Sequence, residues 1–304
     1  MKSQSNSAPP DKLRVAVVQN KPRKGDLQAN VRATHEAFAQ IAADKPVDLI
    51  ALPEAALTGY FLEGAVYDLA MSTERIAQEL ARAWQQTQSE AQVDIACGFY
   101  ENDNGTYYNS ALYLTVAPSD YRVVHLHRKM FLPTYGVFDE ERFLSRGRHL
   151  ATFQTRFGRM GLMVCEDIWH AIMPTICAIK GARFIIVPSA SPGRGIGGDG
   201  ELESVSRWRS LLRSHALEHG IYLIYASLAG FEGGKGMTGS SCIVSPQGAI
   251  IVEAPALGAC IVRATLDLAE IDIARAALPL LGDLGAVLPD LLLDDELPLP
   301  RATR

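Results

Sequence analysis

Three residue types that can do chemistry stand at the ends of apolar runs. Cys165 closes the run Gly161-Leu162-Met163-Val164 and is followed by Glu166-Asp167-Ile168-Trp169-His170, where a helix can begin. A thiol at such a strand-to-helix corner lies near backbone N–H groups, which favour the thiolate and bind a developing oxyanion. A cysteine is more commonly a buried packing residue, and Cys97, Cys177, Cys242 and Cys260 are read that way because they lack polar company. With an ordinary pKa of about 8.5, a thiol needs a base or a cation beside it to act at neutral pH. Glu54, after Leu49-Ile50-Ala51-Leu52-Pro53, and Lys129, after His125-Leu126-His127-Arg128, supply one of each. Singly, either would be a solvated surface charge. Together with Cys165 they mark strand carboxyl ends, where layered α/β folds form their ligand crevice.

The elements that position them follow from periodicity. Residues 1–12 are polar, proline-bearing and aperiodic, so a loose tail is expected. Strand, helix, strand then follow at 13–20, 26–44 and 47–54, and a helix over 73–88 places Ile76, Leu80, Ala83 and Trp84 on one face. A strand at 93–101 leads to a hairpin of 107–116 and 121–129. The pattern repeats as strand 158–166, helix 170–180, strand 182–190, helix 201–219 and strand 221–228. A second hairpin lies around Gln247-Gly248, then a strand at 260–267 and a helix to 277. This predicts an α/β fold of one domain over 13–280, a four-layer α-β-β-α sandwich with mixed sheets. The segment 281–304 is leucine-rich yet bears proline and acid, and is expected to pack at a subunit interface or on its own body.

Composition narrows the function classes. The 304 residues carry 29 Lys plus Arg against 34 Asp plus Glu, a net charge of −5, with no basic block to hold nucleic acid or an anionic membrane. No run reaches the roughly 18 to 20 apolar residues of a membrane span, and the N-terminus lacks a signal-peptide pattern, so a cytoplasmic protein is expected. Five cysteines, widely spaced and without a Cys-x-x-Cys pair, argue against a disulfide framework or a structural zinc.

Three segments carry a resemblance: Leu52-Pro53-Glu54-Ala55-Ala56-Leu57-Thr58-Gly59-Tyr60, His127-Arg128-Lys129-Met130-Phe131-Leu132-Pro133 and Gly161-Leu162-Met163-Val164-Cys165-Glu166-Asp167. In order and spacing they resemble the nitrilase superfamily of carbon–nitrogen hydrolases, over about residues 13–280. The resemblance implies a Glu54-Lys129-Cys165 triad, the same sandwich, and subunits paired as a homodimer or higher oligomer. Glu54 would take the thiol proton and Cys165 attack a carbonyl carbon. Lys129 and the backbone N–H of Glu166 would hold the oxyanion. The segment from Lys129 to Phe143, with Cys165-Glu166-Asp167-Ile168-Trp169, is most similar to the glutaminase domain of glutamine-dependent NAD synthetases. That branch implies Glu140 as a second, supporting glutamate, with Glu141 a rival by adjacency, and Tyr135 and Phe138 lining the substrate pocket. Tyr60 and Ser189 are further expected substrate contacts. Arg194, in a glycine-rich loop bordering the pocket, either holds a substrate carboxylate or is simply solvated.

No Ser-Gly-Gly-x-Asp-Ser loop for ATP is present, so the chain is expected to act as a free-standing amidase or to supply ammonia to a partner enzyme. Gly193-Arg194-Gly195-Ile196-Gly197-Gly198 fits a dinucleotide pattern literally, but no ribose-holding acid ends the next strand. Gly230–Lys235 falls one residue short of a P-loop, and no Gly-x-Ser-x-Gly elbow exists. His125 and His127 alternate on one strand face but lack a third ligand, so neither metal nor organic cofactor is expected. The expected function is hydrolysis of a small carboxamide to a carboxylate and ammonia through a cysteine thioester. N-carbamoyl or nitrile hydrolysis are alternatives, and a metal-dependent phosphoesterase on a similar sandwich is the competing class. With lysine as the cation, no histidine-like titration near pH 6.5 is expected in the rate profile.

Overall fold

The computed structural model describes residues 10–197 and 202–293. Its elements are β1 (Lys12–Gln19), α1 (Leu27–Ala43), β2 (Leu49–Ala51), α2 (Val66–Leu69), α3 (Thr73–Gln85), β3 (Val93–Asp103), β4 (Thr106–Val116) and β5 (Tyr121–Arg128). The second half supplies β6 (Thr152–Thr155), β7 (Gly158–Leu162), α4 (Ile172–Ile179), β8 (Phe184–Ser189), α5 (Glu203–His219) and β9 (Tyr222–Ser227). It ends with β10 (Ala229–Glu232), β11 (Lys235–Thr238), β12 (Cys242–Val244), β13 (Ile250–Glu253), β14 (Cys260–Asp267), α6 (Ala269–Ala277) and α7 (Leu280–Leu292).

Two mixed six-stranded sheets form, in the orders β14-β1-β2-β3-β4-β5 and β13-β12-β9-β8-β7-β6. Each has a parallel centre flanked by antiparallel strands, because helix crossovers return the chain parallel while the two expected hairpins reverse it. Alternation along β1 decides the layering. Val15 and Val17 pack inward with Met160, Leu162, Ile186 and Ile224 of the second sheet. Ala16 and Val18 pack outward with Phe38 of α1 and Ile76, Leu80 and Trp84 of α3. Helix α3 starts at a Ser72 cap, whose hydroxyl accepts from Arg75 N at 3.2 Å, and buries the predicted stripe. The result is the predicted α-β-β-α sandwich.

The details depart from expectation at several places. The first strand starts at Lys12, so the expected tail ends before it, and residues 1–9 lie outside the described residues. β7 stops at Leu162 and the chain turns into a 3-10 helix over Cys165–Trp169 instead of running as a strand to 166. β6, the β10–β11 hairpin and α7 carry no apolar alternation strong enough to be expected from sequence. Gly198 to Gly200 of the glycine-rich loop, and residues 294–304 of the C-terminal extension, lie outside the described residues.

Candidate active site

Glu54 leaves β2 through a turn held against β3: Ala56 N–H donates to Gly98 O at 3.1 Å and Gly98 N–H to Pro53 O at 3.0 Å. Only glycine permits this approach, since a Cβ on Gly98 would lie 2.5 Å from Glu54 Cα. Lys129 leaves β5 with its N–H on Asn109 O at 2.8 Å and its carbonyl accepting from Gly147 N at 2.7 Å. Cys165 opens its 3-10 turn at φ +46°, a left-handed conformation uncommon for a side-chain-bearing residue. Asp167 ties that turn to the lysine loop. Its carboxylate accepts from Val164 N at 3.1 Å, Met130 N at 3.0 Å and Phe131 N at 3.1 Å, and pairs with His127 Nε2 at 2.8 Å.

The Lys129 ammonium is fully buried and donates to Glu54 Oε1 at 2.9 Å and Glu140 Oε1 at 2.6 Å. Asn109, also fully buried, donates to Glu54 Oε1 at 2.6 Å and reaches Glu140 Oε2 at 3.4 Å. The Tyr60 hydroxyl donates to Glu140 Oε1. Glu54 Oε2 is buried without a hydrogen-bond partner, and so is Asn109 Oδ1, leaving two open acceptors in the cluster. Burial pushes the Glu54 carboxyl up; Lys129 pulls it down and Glu140 pushes it up again, leaving it at about 7. Burial alone would lower Lys129, but Glu140 and Glu54 outweigh it and keep the ammonium well above its ordinary value. Burial and the charge on Glu54 raise the Cys165 thiol, while Lys129, Ser189 and the Ala190 N–H pull it back. The resting thiol is therefore protonated, with the Glu54 carboxyl and the Lys129 ammonium near it.

Cys165 opens into a cavity of about 720 Å³, solvent at its mouth included, walled by Tyr135, Phe138, Glu166, Trp169, Ser191 and Arg194 among others. The Tyr135 hydroxyl donates to Glu166 at 2.9 Å, and the Arg194 guanidinium lies 5.1 Å from the Phe138 ring and 5.7 Å from the Tyr135 ring. Of the residues singled out from sequence, Glu54, Lys129, Glu140 and Cys165 come together, and Tyr135, Phe138 and Arg194 line the cavity. Ser189 is fully buried at the end of β8 beside the thiol rather than on the cavity wall. Tyr60 stands behind Glu140, on a separate cavity with Phe61 and Tyr100. Glu141 lies apart from the cluster, on an outer groove with Arg146 and Arg148.

Asn109 escaped the sequence reading, although a polar Asn-Ser pair inside the apolar run of β4 was a usable signal. Glu232 escaped it too, for want of a recognisable hairpin. His125 stacks on Phe153 at 4.6 Å, and the Asp167 partner of His127 shows that these two histidines serve separate ends. His215, Glu218 and His219 hold ligand-type atoms within 4.8 Å of one another. Both His219 nitrogens are occupied, by His215 O and Thr175 Oγ1, each at 2.9 Å.

A family model described as carbon-nitrogen hydrolase matches residues 14–276. The chain is 28% identical over 261 residues to the glutamine-dependent NAD(+) synthetase of Thermotoga maritima, covering 85% of this chain and 43% of that protein. It thus spans less than half the length of that relative. It is 30% identical over 230 residues to the omega-amidase NIT2 of Xenopus tropicalis, covering 70% of this chain and 74% of that one. Among solved structures, a carbon-nitrogen hydrolase from Helicobacter pylori superposes with a TM-score of 0.82 at 26% identity, over 92% of this chain and 98% of that one. Saccharomyces cerevisiae Nit3, of the nitrilase superfamily, gives 0.75 at 25% identity over 91% and 98%. The sandwich, the strand-end cluster and these matches agree: the chain belongs to the carbon–nitrogen hydrolase family of the nitrilase superfamily.

Proposed function

We propose that this protein is a cysteine-dependent amidase that converts a small carboxamide to a carboxylate and ammonia. The observation that carries the reading is the buried Lys129 ammonium, shared between Glu54 and Glu140 beside Cys165. Glu54 takes the thiol proton as Cys165 Sγ bonds to the amide carbon, and Lys129 with the Glu166 backbone N–H holds the oxyanion. The C–N bond then breaks as Glu54 returns the proton to the leaving nitrogen. A water, deprotonated by Glu54, cleaves the thioester, releasing the acid and restoring the thiol. Glu140 and Asn109 keep Lys129 and Glu54 in place. Tyr135, Glu166 and Arg194 present both a carboxylate and a cation at the cavity mouth, which suits an amide with a polar or zwitterionic tail.

A second reading is hydrolysis of an N-carbamoyl group. It is favoured by a 25% identity over 270 residues to a Francisella tularensis citrullinase, covering 85% of this chain and 90% of that protein. The test is ammonia release from a panel of small amides, with glutamine, citrulline and a nitrile included, comparing wild type with Cys165→Ala. Release that vanishes in the variant supports the amidase, and carbon dioxide accompanying ammonia selects the carbamoyl reading. Release that survives Cys165→Ala and iodoacetamide but stops with a chelator would overturn both.

A further inference from the structure

Glu232 is a buried carboxylate that the proposed chemistry does not use. It ends β10, pairs in register with Lys235 across the hairpin, and is 2% exposed. Its Oε2 accepts the backbone N–H groups of Tyr60 at 2.8 Å and Phe61 at 3.2 Å. Its Oε1 has no hydrogen-bond partner and faces Gly59, where a Cβ would come within 3.1 Å. Lys235 sets its ammonium 4.3 Å from the centre of the Phe61 ring. The hairpin tip thus grips two successive residues of the loop that follows Glu54. Tyr100 adds a third hold, its hydroxyl donating to Tyr60 O at 2.6 Å. Tyr60, fixed at both backbone groups, extends its hydroxyl to the Glu140 oxygen that also receives Lys129.

We propose that Glu232 is a positioning residue of the reaction centre: by holding the Tyr60 backbone it aims the Tyr60 hydroxyl at Glu140, and so sets how Lys129 is shared between Glu140 and Glu54. A hydroxyl donated to Glu140 satisfies part of that carboxylate's charge. Without it Glu140 draws the ammonium more strongly, Glu54 loses cationic support, and Glu54 keeps its proton to higher pH. The effect on turnover rests on the amidase reading, whereas the effect on thiol reactivity does not.

The experiment compares wild type with Glu232→Ala, Glu232→Gln, Tyr60→Phe and the Tyr60→Phe/Glu232→Ala double variant. It reads kcat, KM and the pH midpoint of amide hydrolysis, together with the pH midpoint of Cys165 alkylation by iodoacetamide. Glu232→Ala is expected to lower kcat by roughly 10- to 100-fold, as for a small misplacement of a reacting group, with little change in KM and both midpoints moved upward. Glu232→Gln, whose carbonyl still accepts an N–H, is expected to recover most of the loss. The double variant is expected to be no worse than the poorer single one, because both act on one path. Losses that multiply in the double variant, with midpoints left at the wild-type value, overturn the proposal. Should wild type release no ammonia from any amide, the amidase reading fails while the alkylation midpoints still decide: a matching upward shift in both single variants supports the clamp, and no shift overturns it. Glu232→Asp, which keeps the charge but shortens the reach, replaces alanine if that variant does not fold.

Discussion

At the scale of single residues, the proposed reaction makes Glu54 the group that sets the pH behaviour. Its carboxyl is lifted to about 7 by burial against the opposing pull of Lys129. As the proposed base it works ionised, so kcat/KM is expected to fall as the pH drops through about 7, a limb that a rate profile resolves directly. That limb would belong to a desolvated carboxylate, so it differs from the histidine-like titration near pH 6.5 whose absence is expected from sequence. Replacing His127 or His170 would leave that limb in place, and Asn109→Ala should raise its midpoint, because the amide donated at 2.6 Å favours the ionised form. Glu54→Gln should cost activity about 10²- to 10⁴-fold. The sign for stability is opposite. A folded pKa raised above the unfolded one means that support from Glu54 is full at low pH and is withdrawn as pH rises through about 7. At pH 8 the neutral amide avoids that loss, so Glu54→Gln should melt no lower than wild type by calorimetry.

Among the elements, turns between strands and helices hold the reacting groups more than the strands do. Gly98→Ala should displace the Pro53-Glu54 turn, since the added Cβ meets Pro53 O at 2.8 Å as well as Glu54 Cα. A stability loss of about 1–3 kcal/mol is expected from a urea titration, with a further loss of kcat in the folded variant. Asp167→Ala leaves a buried histidine and three backbone N–H groups without their acceptor, and should cost about 3 kcal/mol or more by the same measurement. The central strands, α1, α3 and the strand-end positions of Glu54 and Lys129 were legible, because each repeats a period of two or 3.6 over enough residues to stand out. Cys165 was legible as a corner, but the left-handed turn was not, since no glycine marks it. Asn109 and Glu232 act across 55 and 172 residues of sequence, on Glu54 and Tyr60. Only the paired sheets and the β10–β11 hairpin bring those partners together, so no local pattern reveals them.

For the whole molecule, part of the exposed apolar surface lies on the outer layer of α4, α5 and α7. Val287, Leu291, Leu292 and Leu293 of the C-terminal helix region are exposed, as are Ile172 and Ile179 on α4 and Leu217 on α5. No residue of α7 is buried. No helix among the described residues is long and apolar enough to cross a membrane. Helix α7 lies against α4 and α5 of its own chain, and we propose a second copy of the chain as the cover for the side chains it leaves exposed. Truncation at residue 280 should lower the sedimentation size, and an unchanged size would remove the idea.

The proposed reaction centre also straddles the seam between the sheets. Glu54, Asn109 and Lys129 come from the first, Cys165 and Ser189 from the second, and the Asp167–His127 pair stitches the two. Neither half of the chain carries a working set, so a cut in the connection between β5 and β6 would yield two inert fragments whose recombination restores turnover. The thiol would then act as a reporter of assembly: its alkylation would follow the intact protein's pH midpoint only once the first fragment, which carries Glu54 and Lys129, has docked.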